Sequence, residues 1–293
     1  MNRQHHTDAN STRHETSELV VVTGASTGIG RATAKRLAAD GFHVLAGVRR
    51  QADADRLAAP GIEPVILDIT DEAHVAALAE RVARDRDRPL RALVNNAGIA
   101  VNAPVETVAL PEWRRQFDVG VFGQIAVTQA LLPALLAHGG RVVNIGSVGG
   151  KVAMPGFGPY SGAKFAMEAV SDALRREVEE FGVEVVVVTP GAVRTSMNES
   201  GVATAKRLAG TMTPDQHARY DKLTDAFLAQ IEAFDKDGVE PERAAAVVAR
   251  AITARKPRTR YQVGRDAAVI VRVARLVPDR LLDRMLRRRM KLG

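Results

Sequence analysis

Tyr160 and Lys164 stand four residues apart in Pro159-Tyr160-Ser161-Gly162-Ala163-Lys164, and Ser147 stands thirteen residues before the tyrosine. On a helix the four-residue spacing puts phenol and ammonium on one face. A tyrosine ordinarily holds its proton until pH about 10. A fixed positive charge nearby favours the phenolate and lowers that value. The product is a phenol able to pass a proton near neutral pH. The bare Tyr-x-x-x-Lys spacing is common in long chains and fits an exposed helix face equally well. The elements around it decide what it is worth.

Leu19 to Thr23 is a short apolar run rich in β-branched residues, and it reads as a buried strand. Gly24-Ala25-Ser26-Thr27-Gly28-Ile29-Gly30 follows, then helical spacing of Ala, Leu and Lys from Arg31 to Asp40, with Gly41 at a helix C-cap position. Strand, glycine turn and helix form the context of a dinucleotide site. Gly24 permits a tight turn, Gly28 lets backbone approach a pyrophosphate, and Gly30 lets helix and strand pack closely. The free N–H groups at the helix start then face the phosphates. An ordinary glycine-rich βα turn is the competing reading.

Further strands are expected near 43–48, 62–67, 90–95, 140–146, 183–189 and 260–263, with helices between them. Each is a short continuous apolar run, as expected where helices cover both faces of a parallel sheet. The fold class is therefore α/β, doubly wound, with about seven parallel strands. Ligands in such folds bind at the carboxyl ends of the strands, near the point where strand order reverses. The glycine turn, Asn95-Asn96-Ala97-Gly98, Ser147 and Pro190-Gly191 each follow one of these strands.

These motifs, with Thr23-Gly24-x-x-x-Gly28-Ile29-Gly30 and Tyr160-x-x-x-Lys164, occur in the order and spacing of the short-chain dehydrogenases/reductases. The resemblance runs from about residue 18 to about residue 264. Ile145 to Ala166 and Val44 to Arg49 look most like the steroid and retinol dehydrogenase-like branch. It implies a Rossmann fold, a nicotinamide cofactor, and catalysis by Ser147, Tyr160 and Lys164. Ser147 would donate to the substrate oxygen, Tyr160 would serve as general acid or base, and Lys164 would lower the tyrosine pKa and hold a ribose. A strand-end turn serine is the other reading of Ser147.

The cofactor contacts implied are Gly24, Ser26, Thr27, Gly28, Ile29, Gly30, Arg49, Asp68, Asn95, Ala97, Tyr160, Lys164, Pro190, Val193 and Thr195. Gly47-Val48-Arg49-Arg50 stands where many dinucleotide folds carry an acid for the ribose 2′-hydroxyl. An arginine there can hold a 2′-phosphate by a forked contact, so NADP(H) is expected over NAD(H). A solvated surface charge is the alternative for Arg49. Asp68 is an adenine-side residue, a helix N-cap or a turn residue. Asn95 is structural or a contact residue, and Thr195 meets the carboxamide or caps a helix. Relatives usually carry asparagine where Gly120 stands, which puts a water-mediated proton relay in question.

The chain has 293 residues, 46% of them apolar and only 4% aromatic, so its core must be mainly Val, Ala and Leu. It has no cysteine, which excludes disulfides and is compatible with a reducing cytoplasm. No apolar run is expected to approach the roughly 18–20 residues of a membrane span. Met1 to Glu18 reads as a disordered tail. The scattered histidines suggest no metal site. A substrate lid is expected at about 192–237, with Met154, Pro155, Phe157, Val193, Met197 and Met212 as candidate pocket residues for a fairly apolar alcohol or carbonyl compound.

Residues 265–293 carry nine positive and three negative charges, a net of +6 within the chain's +7. Apolar residues on both sides of Pro278 recur at helical spacing, giving two basic amphipathic helices. They either pack on the lid or another subunit, or attach to an anionic membrane surface. Nucleic-acid binding fits the charge alone and is not expected. A homo-oligomer is implied by the family. A catalytically weak or inactive dinucleotide-binding regulator on the same fold is the alternative function.

Overall fold

The computed structural model describes residues 18–292. The predicted tail therefore lies outside the described residues except for Glu18. Seven strands form one parallel sheet: β1 (Leu19–Val22), β2 (His43–Val48), β3 (Ile62–Ile66), β4 (Leu90–Asn95), β5 (Arg141–Ile145), β6 (Glu184–Pro190) and β7 (Arg260–Val263). Their spatial order is β3-β2-β1-β4-β5-β6-β7, with every neighbouring pair parallel. Strand order reverses between β1 and β4. That crevice is where the fold places a ligand.

Alternation within β1 shows why both faces must be covered. Val20 and Val22 face one core, with Ala34 and Leu37 of α1 (Gly28–Ala39) and Val248 and Ile252 of α9 (Pro241–Thr253). Leu19 and Val21 face the other, with Leu78 of α3 (Glu72–Arg84) and Leu131 and Leu135 of α5 (Gly123–His138). Truncating a fully buried leucine such as Leu131 to alanine should cost about 2–5 kcal/mol. α2 (Gln51–Leu57) adds Ala54 and Leu57 to the first core. Arg141, at the start of β5, is buried because it donates to the carbonyls that end α9, at Ala251, Ile252 and Ala254. It thereby ties helix to sheet.

Local chemistry sets the helix ends. Asp71 caps α3 by accepting from the Ala73 and His74 N–H groups. Gly41, at φ +93°, lets the chain leave α1. α4 (Leu110–Phe117) runs into α5 through a wide π turn at Asp118–Phe122. The continuous helical stretch Leu110–His138 is long and apolar enough to cross a membrane by length and composition. This corrects the expectation that no run approaches that length: residues 121–138 carry no charge. The stretch instead packs on β4 and α3, with Val127, Leu131 and Leu135 in the core.

α6 (Gly158–Val178) follows β5, and α7 (Ser196–Ala209) and α8 (Pro214–Asp237) follow β6. A capping box between Thr213 and Gln216 starts α8. Phe227 and Ile231 of α8 pack with Ala205 of α7 and with Phe157. α10 (Arg265–Leu276) and α11 (Asp279–Arg289) complete the chain. Met290, only 5% exposed, joins the Phe227 cluster, so the basic end is anchored on α7 and α8.

Candidate active site

Tyr160 lies in the first turn of α6 and Lys164 in the next, while Ser147, two residues past β5, caps the short turn Val148–Gly150. Parallel pairing of β5 with β6 fixes where that turn emerges. The Ser147 hydroxyl lies close enough to the Tyr160 phenol to favour its ionised form, and both side chains line one cavity. The same hydroxyl accepts from the Gly149 N–H at 3.0 Å, so Ser147 is a turn serine as well as a partner of the phenol. Gly149 leaves room for the phenol: a Cβ there would stand 3.0 Å from the tyrosine ring. The Lys164 ammonium donates to the Ile145 carbonyl at 2.8 Å and lies 5.9 Å from the tyrosine ring centre.

The electrostatics depart from expectation in one respect. Burial pushes the Tyr160 phenol above its ordinary value, and the nearby Ser147 hydroxyl opposes that shift. Lys164 was expected to pull the phenol down, but the serine is the opposing influence in the protein alone. Burial lowers Lys164 itself to about 8, against the charge of Glu168, which raises it. At neutral pH the lysine is still about nine-tenths protonated.

Glu168 lies one turn beyond Lys164 and is buried. Its carboxylate takes Lys151 at 2.6 Å and Arg260 at 3.0 Å, and Arg260 also reaches Asp172 at 2.9 Å. The Oε1 atom of Glu168 has no hydrogen-bond partner among the described residues. Sequence reasoning missed this cluster. Glu168 follows Lys164 at helical spacing, but its partners come from the β5–α6 connection and from β7.

The glycine turn has the shape of a phosphate cradle. Gly24 and Gly28 sit at φ +63° and +52°, which side chains resist. A Cβ on Gly24 would stand 2.7 Å from the Ala97 Cα, and one on Gly30 would stand 2.3 Å from the Gly24 carbonyl. Thr27 precedes α1 but makes no side-chain cap bond, and the first turn holds no acid, so the N–H groups there keep their capacity for an anion. Ser26 is half-buried and Thr27 exposed, while Ile29 packs inward on the core. These residues fit the diphosphate of a dinucleotide.

The turn after β4 is stitched to this cradle. Asn96 donates to the carbonyls of Thr23 and Gly24, and the Thr23 hydroxyl accepts from the Asn96 and Ala97 N–H groups. Asn95 points elsewhere, donating to Thr128 and Asn144 at 2.8 and 2.9 Å inside the fold. Of its two sequence readings, the structural one describes this side chain. Thr195 starts α7 without a cap bond, and its methyl lies over Gly28. Ser196 and Thr27 share a hydroxyl hydrogen bond of 2.8 Å. Pro190 ends β6, and Val193 is buried in a bridge to Val239.

Arg49 is exposed at the end of β2 and has no ion pair among the described residues, whereas neighbouring Arg50 is paired to Asp53. Asp68, at the end of the adjacent strand, turns back on Thr70. Burial works to raise this carboxyl, but the Thr70 bonds and the Arg49 charge hold it below its ordinary range. Asp71, not Asp68, caps α3.

Beside Ser147 and Tyr160 opens a cavity of about 330 Å³. Val148, Val152, Met154 and Phe157 wall it from the β5–α6 connection, and Phe234 from α8. The opposite wall is α10, through Val269, Ile270 and Val273, and α11, through Leu282, Met285, Leu286 and Arg289. Among the candidate pocket residues, Met154 and Phe157 belong to it. Pro155, Val193, Met197 and Met212 do not. Met197 lies beside Gly98, and Met212 lines a smaller recess near Ala103. The contribution of the terminal helices was missed. Their amphipathic pattern was visible, but the surface they cover is a tertiary fact.

The sequence profile of the short chain dehydrogenase family matches residues 18–206. Mouse retinol dehydrogenase 5 is 37% identical over 278 residues, covering 92% of this chain and 87% of its own length. An NADPH-dependent 3-dehydrocapnine reductase from Ornithobacterium rhinotracheale is 34% identical over 274 residues, covering 90% and 94%. A short-chain dehydrogenase structure from Streptomyces avermitilis superposes with a TM-score of 0.73 at 32% identity, covering 88% of this chain and 92% of that one. Sheet order, cradle and matched sequence agree: the chain belongs to the short-chain dehydrogenase/reductase family, as an oxidoreductase that acts between CH–OH and carbonyl groups with a nicotinamide dinucleotide.

Proposed function

We propose that this protein is an NADP(H)-dependent oxidoreductase that interconverts an apolar secondary or primary alcohol and its ketone or aldehyde, with Tyr160 as general acid and base. The observation that carries the reading is the cavity itself: an apolar chamber of about 330 Å³ with the Ser147 and Tyr160 hydroxyls on its wall. The bound nicotinamide supplies or accepts the hydride. Ser147 donates to the substrate oxygen, where negative charge grows during reduction. Tyr160 hands that oxygen its phenolic proton and recovers it in the reverse direction. Lys164, fixed on the Ile145 carbonyl, keeps positive charge beside the phenol.

The dinucleotide would rest on Gly24, Ser26, Thr27, Gly28, Ile29 and Gly30, with Ala97, Asn95, Asp68, Pro190, Val193 and Thr195 around it. For Asn95 and Val193 this is a backbone role, since both side chains are engaged elsewhere. The unpaired Arg49 supports a preference for the 2′-phosphate of NADP(H). The NADPH dependence named for the Ornithobacterium relative points the same way.

The setting follows from two surfaces. Phe122 and Phe165, 60% and 44% exposed, lie at the α5 and α6 flank and support a homo-oligomer. Leu276, 82% exposed, with Leu281 among the arginines of α11, supports cytoplasmic placement with contact to an anionic membrane. Co-sedimentation with anionic vesicles, with and without residues 265–293, tests that contact.

The enzymatic test is NADPH consumption with a panel of apolar ketones and aldehydes. Turnover should fall on the order of 10²–10⁴-fold in Tyr160→Phe and about 10²–10³-fold in Ser147→Ala. Tight NADPH binding without turnover of any carbonyl compound would favour the regulator reading instead.

A further inference from the structure

The cavity beside Ser147 and Tyr160 has apolar walls with one charged exception. α11 turns Leu282, Met285 and Leu286 into it, the i, i+3 and i+4 positions of a single helical stripe. At about 100° per residue, Arg289 falls within roughly 20° of Leu282, in the middle of that stripe. The repeat calls for a fourth aliphatic residue, and the chain carries a guanidinium. α11 has four other arginines, Arg280, Arg284, Arg287 and Arg288, and none of them lines the cavity. A cation is favoured in the last turn of a helix by the helix dipole. Arg287 and Arg288 already meet that preference from the outer side, so the dipole does not explain a third arginine turned inward. Arg289 is exposed as well as cavity-lining, which puts it at the mouth. It has no ion-pair partner among the described residues.

We infer that the substrate of this site is an apolar chain whose far end carries an oxyanion, a carboxylate or phosphate-type group, and that Arg289 receives that group at the cavity mouth. The inference rests on the proposal that Ser147 and Tyr160 hold the reacting end. The aliphatic walls between them suit a hydrocarbon middle. A planar guanidinium suits a forked contact with an oxyanion.

The test is equilibrium binding of dodecanoate and of dodecan-1-ol to the full chain, by isothermal titration in the presence of NADPH. Wild-type protein should favour dodecanoate. Arg289→Gln should lower the ratio of the two affinities on the order of ten- to hundred-fold, the scale of a hydrogen bond to a charged group. Arg289→Lys should keep part of the preference, since it retains the charge and loses the fork. Arg288→Gln, which removes the same charge off the stripe, should keep the wild-type ratio. Equal affinities in the wild type, no binding of dodecanoate, or an unchanged ratio in Arg289→Gln each overturns the inference. Turnover is not read in this experiment. A protein that prefers dodecanoate through Arg289 yet reduces no carbonyl compound would sink the redox proposal alone.

Discussion

Lys164 donates its ammonium to the Ile145 carbonyl at 2.8 Å, which fixes the amine to the last residue of β5. α6 is thus pinned to the sheet at the point where the chemistry is proposed. Burial weakens that amine's hold on its proton, and the charge of Glu168, one turn further along, opposes the loss.

Glu168→Gln should therefore shift the pH dependence of turnover. Burial holds Lys164 at about 8 and the Glu168 charge opposes the fall. A neutral amide removes the opposition, so the lysine pKa drops further and the alkaline loss of its charge begins at lower pH. The change also leaves Lys151 and Arg260 without their shared carboxylate, at a stability cost of up to about 3–5 kcal/mol. A kcat profile against pH separates the two effects. A purely structural glutamate would lower Tm and leave the profile in place.

Gly120→Asn tests the position where the family resemblance leads one to expect asparagine. A Cβ at Gly120 would lie 3.1 Å from the Ala163 Cβ and 3.1 Å from the Gln116 amide. Gln116 is itself buried and holds the Val101 and Ile99 backbone. The larger side chain should destabilise the fold by about 1–3 kcal/mol through overpacking. Because Ala163 adjoins Lys164 on α6, kcat and its pH profile should move as well. An unaltered rate and profile would show that this join does not communicate with the lysine.

Arg49→Ala should separate the two nucleotides. Loss of a charge-assisted contact to a phosphate weakens binding by about 1.5–3 kcal/mol, on the order of ten- to hundred-fold. NADPH affinity should fall by that factor while NADH affinity stays within about twofold, as read by fluorescence titration. An equal loss for both nucleotides would place Arg49 at a feature they share.

Removing α11 and the residues after it, 279–293, should open one wall of the cavity. KM for apolar ketones should rise more than kcat falls, while NADPH affinity is kept, since no residue of the cradle lines the cavity that α11 walls. Met290→Ala is the milder version. It should cost about 2–3 kcal/mol, because Met290 packs against the Phe227 cluster. Steady-state kinetics with a thermal melt check both.

Much of this was legible in the chain because parallel strands announce themselves as short aliphatic runs, and the motifs sit directly after them. All seven strands lie within a residue or two of their expected places. Ser147, Tyr160, Lys164 and the glycine turn stand out in the chain for the same reason: their spacing is local, or set by one strand and one turn. What failed was of another kind. Burial raises the Tyr160 phenol, and burial is a property of the folded surroundings. Asn95 and Asn144 pair across strands 49 residues apart. The cavity wall from α10 and α11 closes on Ser147 across more than a hundred positions. An amphipathic pattern says that a face will be covered and is silent on what covers it.

The uncharged helix from Val121 to His138 bears on how the chain survives its own synthesis. Two of its main packing partners, α3 and β4, precede it in the chain. A nascent polypeptide thus has matching surfaces already available when this greasy segment emerges. Docking on those surfaces would bury apolar area that is otherwise prone to aggregate. Variants that weaken α3 or β4 would leave it bare, and aggregation during expression would be their first symptom.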